Sequence, residues 1–227
     1  MKSKQLAAAV MAVALTAPGI ATALEAGDWL VRGRIINVMP NDDSGNVFVA
    51  GAPIAGSGVK VDDEFTLDLD FTYMFTKNIG AELLLDLSSQ HRASSKGTLA
   101  AIAPGKILDA RVLPPSLLVQ YHFMPDAKFR PYVGAGLNYT MFFDEGATGT
   151  GRSVLGLTNV DLDSSFGYAL QAGADIEIDK NWFLNFDVKY INIETEATAR
   201  STALNAPVKV DVDINPWVVG IGIGRKF

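Results

Sequence analysis

Strict two-residue alternation is the feature that most limits how this chain folds. In Phe65-Thr66-Leu67-Asp68-Leu69-Asp70-Phe71-Thr72-Tyr73-Met74-Phe75 every odd position is apolar or aromatic, and every even one but Met74 is polar. A helix scatters that set around its circumference, whereas a strand puts it on one face. The pattern returns along the chain. Trp182, Leu184, Phe186, Val188 and Tyr190 alternate with residues that include Asn185, Asp187 and Lys189. Phe166, Tyr168, Leu170, Ala172, Ala174, Ile176 and Ile178 stand opposite Gly167, Gln171, Gly173, Asp175 and Glu177. Ile79 to Leu87 sets Leu83 and Leu85 against Glu82 and Asp86. Trp29 to Met39 puts Arg32 and Arg34 on one side and Trp29, Val31 and Ile35 on the other. Ser116 to Phe123 and Phe129 to Phe143 alternate less strictly. Trp217 to Phe227 sets Val219, Ile221 and Ile223 against Gly220, Gly222 and Gly224. Upstream, Val208, Val210, Val212 and Ile214 hold the opposite parity, which predicts a bulge near Asn215-Pro216.

Eight strands result, and their connections alternate in length. Thr76-Lys77-Asn78, Met124 to Lys128 and Asp179-Lys180 are tight turns. Pro40 to Glu64, Ser88 to Leu113, Asp144 to Ser164 and Asn192 to Ala206 are long loops. Bulky residues occupy one face, while the other carries glycines and charges. A soluble barrel has the reverse arrangement, with its apolar face turned inward. Aromatics gather at both strand ends. Trp29, Tyr73, Phe75, Tyr121, Phe123, Trp182 and Phe227 lie at the short-turn end, and Phe65, Tyr139, Phe143, Phe166 and Tyr190 at the long-loop end. Two such belts fit the two interfaces of a bilayer. The fold class expected is all-β: an eight-stranded antiparallel transmembrane β-barrel with short periplasmic turns and long extracellular loops.

The N-terminus points to the same compartment. Lys2 and Lys4 precede an apolar run from Leu6 to Leu15, then Pro18-Gly19 and Ala21-Thr22-Ala23. That order is a secretory signal peptide, residues 1–23, cleaved after Ala23 and leaving residues 24–227 as the barrel. Cleavage removes two lysines and no acid, so the net charge of −6 becomes −8. An acidic chain without a basic face is a poor nucleic-acid binder. The chain has no cysteine, which excludes disulfides, thiolate metal ligands and a thiol nucleophile. Acid-rich Asp42-Asp43 and Asp62-Asp63-Glu64 read as solvated loop charges, salt-bridged at most through cations on lipopolysaccharide, so no metal or cofactor is expected.

Several stretches resemble the OmpW family of outer-membrane proteins. They are Leu113-Pro114-Pro115-Ser116-Leu117, Phe129-Arg130-Pro131-Tyr132-Val133-Gly134-Ala135-Gly136-Leu137-Asn138-Tyr139-Thr140, Phe142-Phe143-Asp144, Asn181-Trp182, Asp213-Ile214-Asn215-Pro216-Trp217-Val218 and the terminal Phe227. They occur in order over nearly the whole mature chain and fade in the loops Pro40 to Glu64 and Glu145 to Asp163. The resemblance implies a bacterial outer-membrane location and passage of small hydrophobic molecules, with one branch of the family taking up alkanes. Phe227 resembles the C-terminal aromatic read by outer-membrane assembly machinery, although Arg225 stands where an apolar residue is usual.

Strand number limits the mechanism. Side chains fill the interior of an eight-stranded barrel, which excludes a wide aqueous channel. Arg32, Arg34, Asp68, Asp70, Glu82, Asp86, Asp187 and Lys189 face that interior and are expected to form a salt-bridged polar network. A hydrophobic solute then needs a side exit. Pro114 and Pro115 donate no ladder hydrogen bonds, so a lateral opening is expected at the seam of the third and fourth strands. Val47 to Ala50 and Leu99 to Ala103 supply an apolar mouth. Phe166 stands where the family has an aromatic near that mouth; it is read either as a gate or as a belt residue. Partners expected are outer-membrane lipids and lipopolysaccharide, small hydrophobic solutes and the assembly machinery. The competing reading is a structural outer-membrane barrel, or a phage or colicin receptor, without transport. An enzyme is not expected. Ser116 and His122, which share the inward face, are separated by about 20 Å of strand, at about 3.3 Å per residue, so they form no nucleophile–base pair.

Overall fold

The computed structural model describes residues 23–41, 43–86 and 89–227. Apart from Ala23, the expected targeting segment lies outside them. In chain order the strands are β1 (Trp29–Met39), β2 (Asp43–Ser44), β3 (Phe48–Val49), β4 (Ala52–Pro53), β5 (Ser57–Val61) and β6 (Glu64–Met74). Next come β7 (Ile79–Asp86), β8 (Ser89–Gly97), β9 (Lys106–Leu113), β10 (Ser116–His122), β11 (Phe129–Ala147) and β12 (Leu157–Leu162). The last are β13 (Ser165–Glu177), β14 (Trp182–Ile191), β15 (Glu194–Ser201), β16 (Ala206–Asp213) and β17 (Trp217–Lys226). Two short helices, α1 (Thr98–Ile102) and α2 (Gly149–Ser153), sit in the connections.

Eight of these strands close the barrel. The order β10-β7-β6-β1-β17-β14-β13-β11 returns to β10 through the β10–β11 pairing, and every neighbour is antiparallel. Closure leaves no backbone edge facing lipid, the condition for crossing a bilayer with strands. The tight turns are held by side chains that mimic backbone turns. Thr76 Oγ1 accepts from the amides of Asn78 and Ile79 at 3.2 and 3.0 Å. Asp179 Oδ1 accepts from Asn181 and Trp182 at 2.9 and 3.0 Å. Leu24, Leu30, Met74 and Phe183 form a small apolar floor at this end. Outside, Trp29, Tyr73 and Phe75 stack in series, as do Tyr168, Tyr190 and Trp217 at the other end.

The connections read as long loops are themselves largely β-structure. β12-β15-β16-β3-β4, with β2 on β16, make one sheet. The upper part of β11 carries β9, β8 and β5 in turn. Both sheets stand above the barrel as continuations of its wall.

No phase slip occurs at Asn215-Pro216, which corrects the bulge expected there. Val210, Val212 and Val218 all face inward, so the parity is constant through the break. What changes is the chemistry of the two faces. In β17 the outward residues are Trp217, Val219, Ile221 and Ile223. In β16 they are Lys209, Asp211 and Asp213. The strand keeps its register and reverses its polarity where it leaves the lipid: water lies outside the upper sheets, so the apolar side chains turn into the interior. Asn215, at φ 39°, makes the local kink, and its Oδ1 accepts from Ile193 N and Asn192 Nδ2, both at 3.0 Å.

Candidate functional site

The lower barrel is blocked by a buried charge network. Registers β1–β6 set Arg32 opposite Asp70 and Arg34 opposite Asp68. Arg32 reaches Asp175 at 2.8 Å, Asp70 at 3.1 Å and Glu82 at 3.5 Å, and donates to Thr72 Oγ1 at 2.8 Å. Arg34 binds Asp70 at 2.5 Å, Asp68 at 2.8 Å and Asp187 at 3.6 Å. Lys189 pairs with Asp187 and lies 3.8 Å from Asp68. These groups are withdrawn from water, so each charge depends on its partners in the lumen.

Neutral residues that sequence reasoning did not single out complete the plug. Gln120 Nε2 donates to Glu82 at 2.6 Å and to Gln171 Oε1 at 3.0 Å, and Gln171 donates back to Glu82 at 2.9 Å. Tyr132 donates to Asp187 at 3.0 Å, and Asn185 donates to Asp175 at 2.8 Å. Their inward parity was legible, but their partners lie on other strands and depend on register. Gly222 makes room for the plug. A methyl group there would stand 2.1 Å from the Gly33 carbonyl oxygen and 2.6 Å from Arg34 Cγ. Gly222→Val is expected to destabilise the barrel by about 1–3 kcal/mol through overpacking, measurable by urea titration in lipid vesicles.

Above the plug the interior is apolar. Ile36, Val38, Leu84, Leu118, Ile191 and Val218 form a first layer. Over it lies an apolar chamber lined by Val59, Val112, Ile193, Ala197, Val210 and Val212 among others. A second apolar space stands nearer the loop tips among Val47, Leu99, Ile102, Leu155 and Leu204. Val59, Leu108, Ala197 and Val210 line both, so the two are contiguous. The polar groups of the lower space are few. One is His91 on β8, whose imidazole is pushed below its ordinary value by burial against the pull of Glu64.

The lower chamber ends at Asp86 and Pro114. Among the described residues the β7–β10 ladder runs up to Leu84–Ser116, and pairing is next found at Ser89–Val112 between β8 and β9. The two prolines do not act alike. Successive residues of a strand address opposite neighbours. The Pro115 carbonyl accepts from Tyr139 N of β11 at 3.0 Å, so only Pro114 withholds a donor from the β7 side. Side chains satisfy the freed carbonyl: Ser116 Oγ and Asn138 Nδ2 both lie 3.2 Å from Pro114 O. Pro114 thus offers β7 no donor, and its own carbonyl is turned to side chains of the barrel.

Phe166 lies elsewhere. It is 70% exposed on the outer face opposite Tyr139, where a belt residue belongs and a gate does not. Ser116 bonds Pro114 O and His122 faces Gln120 at 3.2 Å, so neither activates the other. Among the described residues no group of His, Asp and Glu is placed to hold a metal ion.

Residues 25–227 match the family model described as the OmpW family. The chain belongs to the OmpW family. Its OmpW-family relatives include outer membrane protein W of Vibrio cholerae, 42% identical over 229 residues that cover 100% of both chains. The crystal structure of OprG from Pseudomonas aeruginosa superposes with a TM-score of 0.86 at 37% identity, covering 91% of this chain and 99% of that one. A further relative in Pseudomonas aeruginosa is named the dibenzothiophene metabolism operon protein PahQ; it is 29% identical over 203 residues, 89% of this chain and 90% of its own. The OmpW-family barrel described above is therefore that of an outer-membrane protein.

Proposed function

We propose that the protein is a passive route for small hydrophobic molecules across the outer leaflet, with release sideways into the membrane at Pro114. One observation carries the reading: an apolar interior begins among the loop tips and ends on a charged plug, beside Pro114, which has no N–H to offer β7. Entry into the chamber is favourable for an apolar solute, by about 25 cal/mol per Å² of surface withdrawn from water. Continuing down the axis is not, because the solute would have to part ion pairs that have no water to replace them. The seam at Pro114 leads instead to acyl chains. PahQ, named for a dibenzothiophene operon, supports an apolar aromatic cargo. A structural or receptor barrel does not need an apolar cavity reaching from its loops to its plug, so the chamber weighs against that alternative.

The double variant Pro114→Val, Pro115→Thr restores the missing donors. Cells carrying it are expected to take up a panel of small hydrocarbons several-fold more slowly than cells with the native protein, at equal amounts of folded barrel. Undiminished uptake rejects the lateral route. Equal uptake by cells with and without the native protein rejects transport and favours the receptor reading.

A further inference from the structure

Asp86 is the acid that the plug leaves out. It ends β7 with its side chain turned inward, 7% exposed, and sits directly opposite Asp68 of β6. Two like charges in register repel unless each is compensated. Asp68 is compensated, by Arg34 at 2.8 Å and Lys189 at 3.8 Å. Asp86 Oδ1 is buried and meets no hydrogen-bond donor among the described residues. Arg32, Arg34 and Lys189 are all engaged with other carboxylates. Asp86 Oδ1 therefore presents an acceptor, without a donor among the described residues, to the floor of an apolar chamber beside Pro114. A buried acceptor left unmet is costly, and a donor brought by a guest removes that cost.

We propose that Asp86 is a head-group site: a small molecule with an apolar body and one hydroxyl or amino group lies in the chamber with its donor on the Asp86 carboxyl before leaving at Pro114. The inference rests on the transport reading above and adds a chemical class to it. The chamber walls take the apolar body without regard to its identity, and Asp86 selects among such bodies by their donor. A pure hydrocarbon gains nothing from it.

The test uses 1-naphthol and 1-methoxynaphthalene, which share a ring system and an oxygen but differ in the donor. Uptake is measured by fluorescence in intact cells that lack the native protein and carry full-length wild type, Asp86→Ala or Asp86→Asn, at equal levels of folded barrel. Wild type is expected to favour 1-naphthol about tenfold, the ratio that one buried hydrogen bond supplies. Asp86→Ala is expected to bring the ratio to about that of cells without the protein. Asp86→Asn keeps one acceptor oxygen and is expected to fall between. Removing an unpaired buried acid does not threaten the barrel, so the alanine variant should fold. Equal wild-type uptake of both compounds above background, or an unchanged ratio in Asp86→Ala, overturns the head-group site while transport stands. No uptake of either compound above background overturns transport itself, and the head-group site with it.

Discussion

Arg32→Met is expected to lower the free energy of unfolding in lipid vesicles by about 3–5 kcal/mol, the usual result of removing one partner from a buried ionic network. Arg32 is fully buried and holds carboxylates from three strands: Asp70 on β6, Glu82 on β7 and Asp175 on β13. Its guanidinium also lies 5.2 and 5.5 Å from the ring centres of Tyr132 and Phe183. Methionine keeps the stem and leaves the acids. Asp70 would retain Arg34, and Asp175 would retain its hydrogen bond from Asn185 but lose its guanidinium. The repulsion then falls on a closed ring of strands that has no slack to part them. Tryptophan fluorescence reads the transition directly, because Trp29, Trp182 and Trp217 all stand on the outer face near the two strand ends. Adding Asp175→Asn to Arg32→Met should recover part of the loss. The exposed Lys77–Asp126 pair is the control; breaking it should cost less than about 1 kcal/mol. An equally small loss for Arg32→Met would mean that the plug fills the lumen without bracing it.

Ala197→Trp is expected to reduce hydrophobic uptake to that of cells lacking the protein. Ala197 projects from β15 at the neck shared by the two apolar spaces, where it is 7% exposed. A tryptophan there fills the neck with an indole that the surrounding valines accept chemically. The substitution lies in the sheet above the membrane, so the eight barrel strands and their belts keep their contacts. Overpacking should lower stability by about 1–3 kcal/mol. Full uptake with the neck filled would show that solutes reach the bilayer without passing through the chamber. Together with the proline variant, this separates the entrance of the path from its exit.

Much of this was legible in the residues. Alternation from Phe65 to Phe75 marks a strand whichever partner it finds, and the bulk of the odd positions marks the face that meets lipid. Thr76 and Asp179 mark their turns for equally local reasons. The upper sheets were hidden because their amphipathy is the reverse of the barrel's. Val208, Val210 and Val212 share parity with the inward Gly220 and Gly222, and only the change of solvent along the strand explains why valine is inward there. Read with a single rule for the whole chain, the same residues suggested a slip.

The sequence by itself determined the class of fold and the sign of each face, because the two-residue period and the choice between water and lipid are properties of single strands. It also determined that charge had to be enclosed, since Arg32, Arg34, Asp68 and Asp70 lie opposite the lipid face. Tertiary structure alone decided which acids receive a cation. Register brings Arg34 to Asp68 and Asp70 and leaves Asp86 at the floor of the apolar chamber. It also decided that Pro114, and not Pro115, withholds a donor from the β7 side, because the direction of a backbone N–H is fixed only once both neighbouring strands are in place.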